Sequence, residues 1–139
     1  MAAASTTPFQ PPAIPWHRPQ PLAPQLDLGP GLDPWVCGQA LGRLCAEPDV
    51  QAVLAFGSRA RGEARADSDL DLAVIVRTAQ LTPEQKLECW RRFRDRLGPL
   101  GVGLDLVIAG QADAERLSAS RWHVFGDVAL EGRVLYVAG

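Results

Sequence analysis

What this chain lacks narrows its class before any motif is read. No apolar run in its 139 residues approaches the ~20 needed to span a bilayer, which argues against a membrane protein. An excess of positive charge is also missing: 14 Lys and Arg stand against 16 Asp and Glu, for a net charge of -2, and the arginines are spread through several segments. Such a chain sets up no basic field for a phosphate backbone, so nonspecific nucleic-acid binding is not favoured. Cysteine is scarce. Cys37, Cys45 and Cys89 form neither a CxxC pair nor an even disulfide set, and the amino terminus carries no signal-peptide pattern. A reducing, cytoplasmic setting is expected. Cys37 and Cys45, eight apart on roughly one face of a predicted helix, read as core packing rather than redox chemistry. With 47% hydrophobic and 22% charged residues, wholesale disorder is excluded as well.

Proline is abundant but uneven. Eight of the 12 prolines fall between Met1 and Asp33, where they fix φ and remove backbone donors, so neither a helix nor a central strand is expected there. Residues 1–33 are read as a proline-rich tail or linker, too proline-rich to join the core, with docking of Pro15 and Trp16 onto the domain, or onto a partner, as the alternative. One compact domain is expected over residues 34–139.

Within it, Asp33 as N-cap and Pro34 at the first helical position open a helix over 34–46. Val50 to Phe56 reads as a buried strand, Ser58 to Ala64 as a turn or two of helix, and Leu70 to Val76 as a second strand. Thr82, Pro83 and Gln85 start a helix that runs to Leu97 and ends before Gly98 and Pro99. A third strand follows over 102–108, with Gly103, Asp105 and Val107 on one face. A single helix is then predicted over 112–130, and a last short strand or tail over 134–137. Alternating strands and helices indicate an α/β (α+β) layer.

The chemistry concentrates between Phe56 and Leu72. Asp69 and Asp71 are two apart on a strand and share a face, about 6.6 Å from each other. Like charges this close raise each other's pKa unless a cation lies between them, and a hard, oxygen-preferring ion such as Mg²⁺ suits the donors. Asp105, mid-way along the next predicted strand, converges on the same spot. Gly57 and Ser58 offer close backbone approach and a small hydroxyl to a triphosphate, and a helix starting at Ser58 would add its N-terminal partial charge. Arg59, Arg61 and Arg65 lie near enough to contribute charge, although the sequence does not say which points inward. An Asp-x-Asp strand or a Gly-Ser turn alone is ordinary surface. Seven such residues at fixed offsets, each with a usage of ~5–7%, are not readily accidental.

The segment Gly57 to Val74, GSRARGEARADSDLDLAV, resembles the signature of minimal nucleotidyltransferases, the small branch of the DNA polymerase β-like superfamily. The likeness runs from about residue 34 to the end, and Glu131 to Tyr136, EGRVLY, resembles the usual close of that family. The proline-rich head has no counterpart in it. The resemblance implies a short mixed sheet with helices mainly on one face. It also implies two Mg²⁺ ions held by Asp69, Asp71 and Asp105, and nucleotide contacts at Gly57, Ser58, Arg59, Arg61 and Ser68.

It further implies transfer of a nucleoside monophosphate, AMP from ATP or another nucleoside triphosphate, to an acceptor hydroxyl with release of pyrophosphate. The acceptor it suggests is a partner HEPN-type toxin, with this chain as the antitoxin. Two other readings remain open: a non-catalytic antitoxin that masks its partner by contact, and a small-molecule, aminoglycoside-like nucleotidyltransferase completed by homo-oligomerisation. Trp122, His123 and Phe125 are candidates for such a surface. The plainer reading is that they anchor the last helix to the sheet.

Overall fold

The computed structural model describes residues 14–120 and 122–139. Helix α1, Pro34–Cys45, starts where expected: the Asp33 carboxylate accepts from the Trp35 and Val36 amides at 2.9 and 3.0 Å. Strand β1, Val50–Phe56, passes through the short helix α2, Gly57–Arg61, which Gly62 ends in a left-handed conformation at φ 75°. After β2, Leu70–Val76, helix α3, Pro83–Leu97, opens on a complete capping box between Thr82 and Gln85. Strand β3, Leu104–Gly110, then α4, Gln111–Ser118, α5, Val124–Glu131, and β4, Arg133–Val137, complete the chain.

The sheet has the order β3-β2-β1-β4 and is mixed. β1 runs antiparallel to β2 and β4, whereas β2 and β3 are parallel, with α3 supplying the crossover. The two longer helices, α1 and α3, pack on one face over Val53, Ala55, Leu72, Val74, Leu106 and Ile108. The shorter α4 and α5 cover the other through Ala114, Phe125 and Val128, which meet Ala52, Leu54, Ala73 and Ile75. Among the described residues no helix is long and apolar enough to cross a membrane.

Three local expectations need correction. Strand β3 begins two residues later than 102–108, because Gly101 turns at φ 82° and Val102 and Gly103 remain in the loop. Its phase is unchanged, so Asp105 keeps the predicted face. The helix expected over 112–130 is instead two helices, the first ending at Ser118 and the second starting at Val124. There the Ser118 hydroxyl bonds back to the Glu115 carbonyl at 2.6 Å, and His123 Nδ1 caps α5 by accepting from the Phe125 amide at 3.2 Å. Of the three residues expected to anchor the last helix, Phe125 is buried and His123 stacks on it, but Trp122 is 90% exposed.

The third correction concerns the proline-rich segment. Residues 14–33 are largely extended, as their prolines require, yet they belong to the core: Leu26, Leu28 and Leu32 join the α1–α3 side, and Trp16 packs edge-on to Phe125 at 6.4 Å. Proline removes backbone donors without preventing neighbouring leucines from burying apolar surface. Some of the backbone donors that remain are partnered within the domain. The Gln20 amide bonds the Val137 carbonyl at 3.0 Å and the Leu26 amide that of Pro34 at 3.1 Å. Residues 1–13 lie outside the described residues.

Candidate active site

The acidic residues meet at one end of the sheet, where β1 finishes and β2 and β3 begin. Phe56 is the register partner of Asp71, and Asp71 is the register partner of Asp105. Because Ala73 and Ile75 face α4 and α5, alternation puts Asp71 on that same side, with Asp105 beside it. Asp69 stands just ahead of β2, where the Leu70 amide donates to the Gly103 carbonyl at 2.8 Å.

Two glycines make room for two carboxylates. Gly57 turns at φ 72°, and a Cβ there would collide with Oδ2 of Asp71. Gly103 stands in the same relation to Asp69, whose Oδ1 occupies the place a Cβ would take. The sequence points to Gly57 as a phosphate-approach residue, but to Gly103 only as a strand position. Its signal in the sequence is a glycine two residues before an aspartate on the same face.

Burial is the main cause that raises the Asp71 pKa above its ordinary value. The Asp105 and Asp69 charges push it further up, and Arg61 pulls against them. These are the signs of an acidic cluster whose members feel one another. Among the described residues, however, no group of three or more His, Cys, Asp or Glu side chains closes into an arrangement able to hold a metal ion. The fit to a hard cation therefore lies in the donor chemistry and the shared face, not in a finished cage.

The arginines separate. Arg61 is exposed at the end of α2, where it pairs with Glu63 at 3.2 Å and reaches Glu131 at the end of α5 at 3.4 Å. Arg59, expected among the nucleotide contacts, is buried, and each of its five N–H groups meets a backbone carbonyl. Nη1 donates to Leu28 and Pro30 at 2.8 and 2.9 Å, Nη2 to Ser68 and Arg65 at 2.8 and 3.4 Å, and Nε to Ser68 at 3.1 Å. No donor is left for a phosphate. Ser68 closes its own loop, its hydroxyl accepting from the Arg65 amide at 2.8 Å. Ser58 lies half-buried in α2, immediately after Gly57.

An α+β domain with a four-stranded mixed sheet, carrying an acidic cluster at the sheet end beside a glycine turn, is the class that these features define. Residues 41–136 match the family described as polymerase beta, nucleotidyltransferase. The chain belongs to that family and is a nucleotidyltransferase by that membership. No curated protein matches it in sequence. Among solved structures it is similar to a candidate nucleotidyltransferase from Sulfolobus solfataricus, with 16% identity, a TM-score of 0.51, and coverage of 73% of this chain and 78% of the other. It also resembles a chain of a toxin-antitoxin structure with AMP-PNP, at 22% identity and a TM-score of 0.48, covering 71% and 72%. A third similar structure is a tri-AMPylated Shewanella oneidensis HEPN toxin in complex with an MNT antitoxin, at 21% identity and a TM-score of 0.38, covering 66% and 60%. At 16% identity, the likeness to the Sulfolobus solfataricus protein bears on the fold alone.

Proposed function

We propose that the chain moves a nucleoside monophosphate, AMP from ATP, to a hydroxyl of a partner HEPN-type toxin, and so acts as its antitoxin. The observation that carries the reading is the in-register pair Asp71 and Asp105, with Asp69 on the same face and the Gly57–Ser58 turn alongside. In this reading Asp69, Asp71 and Asp105 hold Mg²⁺, which supplies charge neutralisation at the attacking and leaving oxygens. Asp105, exposed at the start of its strand, accepts the proton of the acceptor hydroxyl. Gly57 lets the triphosphate approach the backbone. Ser58 and Arg61 balance the charge of the pyrophosphate as it leaves, and Arg61 exchanges its carboxylate partners Glu63 and Glu131 for phosphate oxygens. The choice of acceptor rests on the resemblance of Gly57 to Val74 to minimal nucleotidyltransferases. Three unpaired cysteines, with Cys37 and Cys89 buried and Cys45 half-buried, accord with a reducing, cytoplasmic setting.

The test is incubation with Mg²⁺, α-labelled ATP and a HEPN-type protein encoded beside it, in parallel with the Asp69→Ala/Asp71→Ala double variant. Label that passes to the neighbour and vanishes with the double variant is the expected result. Full neutralisation of the neighbour by the unlabelling variant would instead favour masking by contact.

A further inference from the structure

We infer that Arg59 and the strap at residues 28–31 together position Asp69, so that the proline-rich segment is part of the machinery of the acidic site. The inference rests on the metal-holding role proposed above for Asp69.

Arg59 is a cation with 2% exposure, and no carboxylate lies within ion-pair distance of it among the described residues. Burial of a charge is costly unless every donor is met, and here all five donors are met by carbonyl dipoles from only two short segments. Leu28 and Pro30 belong to the strap, Arg65 and Ser68 to the loop that leads into β2. One planar fork thus joins two stretches of chain that share no regular secondary structure.

The Ser68 carbonyl takes two of the five bonds, from Nε and Nη2. That carbonyl lies in the same rigid peptide plane as the Asp69 amide, so holding it fixes the plane from which Asp69 departs. On the other side of Asp69, the Leu70 amide is bonded to Gly103. The Asp69 Cα is therefore held between two pinned peptides, with its carboxylate lying against Gly103. A second contact presses on the same loop: Gly31, at φ 83°, packs so closely on Ala66 that a Cβ would strike the Ala66 carbonyl. The strap touches the loop at two places, through the fork and through a glycine.

Two variants of the full chain test this. Arg59→Lys keeps the charge but loses the fork and two of the five donors. Gly31→Ala changes no charge and wedges the same loop. Amide hydrogen exchange is measured over residues 65–70, and Mn²⁺ affinity is measured by electron paramagnetic resonance, with Asp69→Ala as reference. Both variants should speed exchange over 65–70 and weaken Mn²⁺ binding by roughly 10–100-fold, the usual effect of losing a partner that orients a ligand. Nucleotidyl transfer should lose kcat with KM for ATP little changed, and excess Mn²⁺ should restore part of it.

Unchanged exchange over 65–70 overturns the clamp. Faster exchange with wild-type Mn²⁺ affinity and kcat overturns the link to Asp69 and leaves Arg59 a purely structural residue. A rise in KM for ATP with kcat preserved overturns it in favour of a phosphate contact. A wild-type chain that binds no Mn²⁺ and labels nothing refutes the functional reading instead, and the exchange data alone then judge the clamp.

Discussion

Asp71 of β2 and Asp105 of β3 are register partners across a parallel pair, so two carboxylates point to the same side from neighbouring strands. With Asp69 close by, the fold gathers like charge at one end of its sheet, and folding must oppose that repulsion.

Replacement of Asp71 should therefore stabilise the protein in the absence of divalent ions while abolishing transfer. The folded-state pKa of Asp71 is raised, so the folded protein holds its proton more tightly than the unfolded chain does. Its contribution favours the folded state at low pH and is lost as pH rises through the folded pKa. Asp71→Asn lacks that decline. Above the carboxylate range its Tm, read by differential scanning fluorimetry in EDTA, should exceed wild type by about 1–3 °C, a modest gain because solvent screens the group. A variant less stable than wild type at neutral pH would refute the repulsion argument.

Gly57→Ala should cost about 1–3 kcal/mol, because a side chain would be forced into a left-handed conformation. The new methyl would also displace the Asp71 carboxylate. Urea unfolding measures the first effect and transfer assays the second. Activity should fall by more than any loss of folded protein explains.

The last helix offers a paired comparison. Phe125→Ala opens a gap in the core between Trp16 and the sheet and should cost about 3–5 kcal/mol. Trp122→Ala, three residues earlier on an exposed turn, should stay within about 0.5 kcal/mol of wild type. Equal losses would mean that Trp122 is held against the domain.

Thiol reactivity should be low while the chain is folded. Burial pushes the Cys45 pKa up to about 12 and that of Cys37 up to about 11, the latter moderated by Arg59 and Arg133, and burial raises Cys89 too. Little thiolate is present at pH 8, and a chromogenic disulfide reagent should react with all three cysteines only once denaturant is added.

The sequence expresses local rules well and tertiary ones poorly. Asp33-Pro34 and Thr82-Pro83 mark helix starts because capping is decided within four residues, and both starts are present. The phase of Asp71 follows from strand periodicity, and that of Asp105 survives a two-residue slip in its strand, whereas Asp69 lies just ahead of β2, where the Leu70 amide bonds the Gly103 carbonyl. By contrast, Arg59 and Arg61 are two apart on one short helix and equally basic. The carbonyls of Leu28 and Pro30, some thirty residues away, join those of Arg65 and Ser68 in holding the first inward, while the second stays at the surface. The break between α4 and α5 is similarly hidden, because Ser118, Ser120 and His123 are tolerated in a helix until their side chains find better partners.

The pairing of Gln20 with Val137 bears on how copies of this chain can meet. One margin of the sheet, along β4, is met at Val137 and Val134 by Gln20, whereas among the described residues no strand pairs with the outer row of β3. The unpaired β3 margin is the one that carries Asp105. Any strand added there would lie next to the acidic cluster.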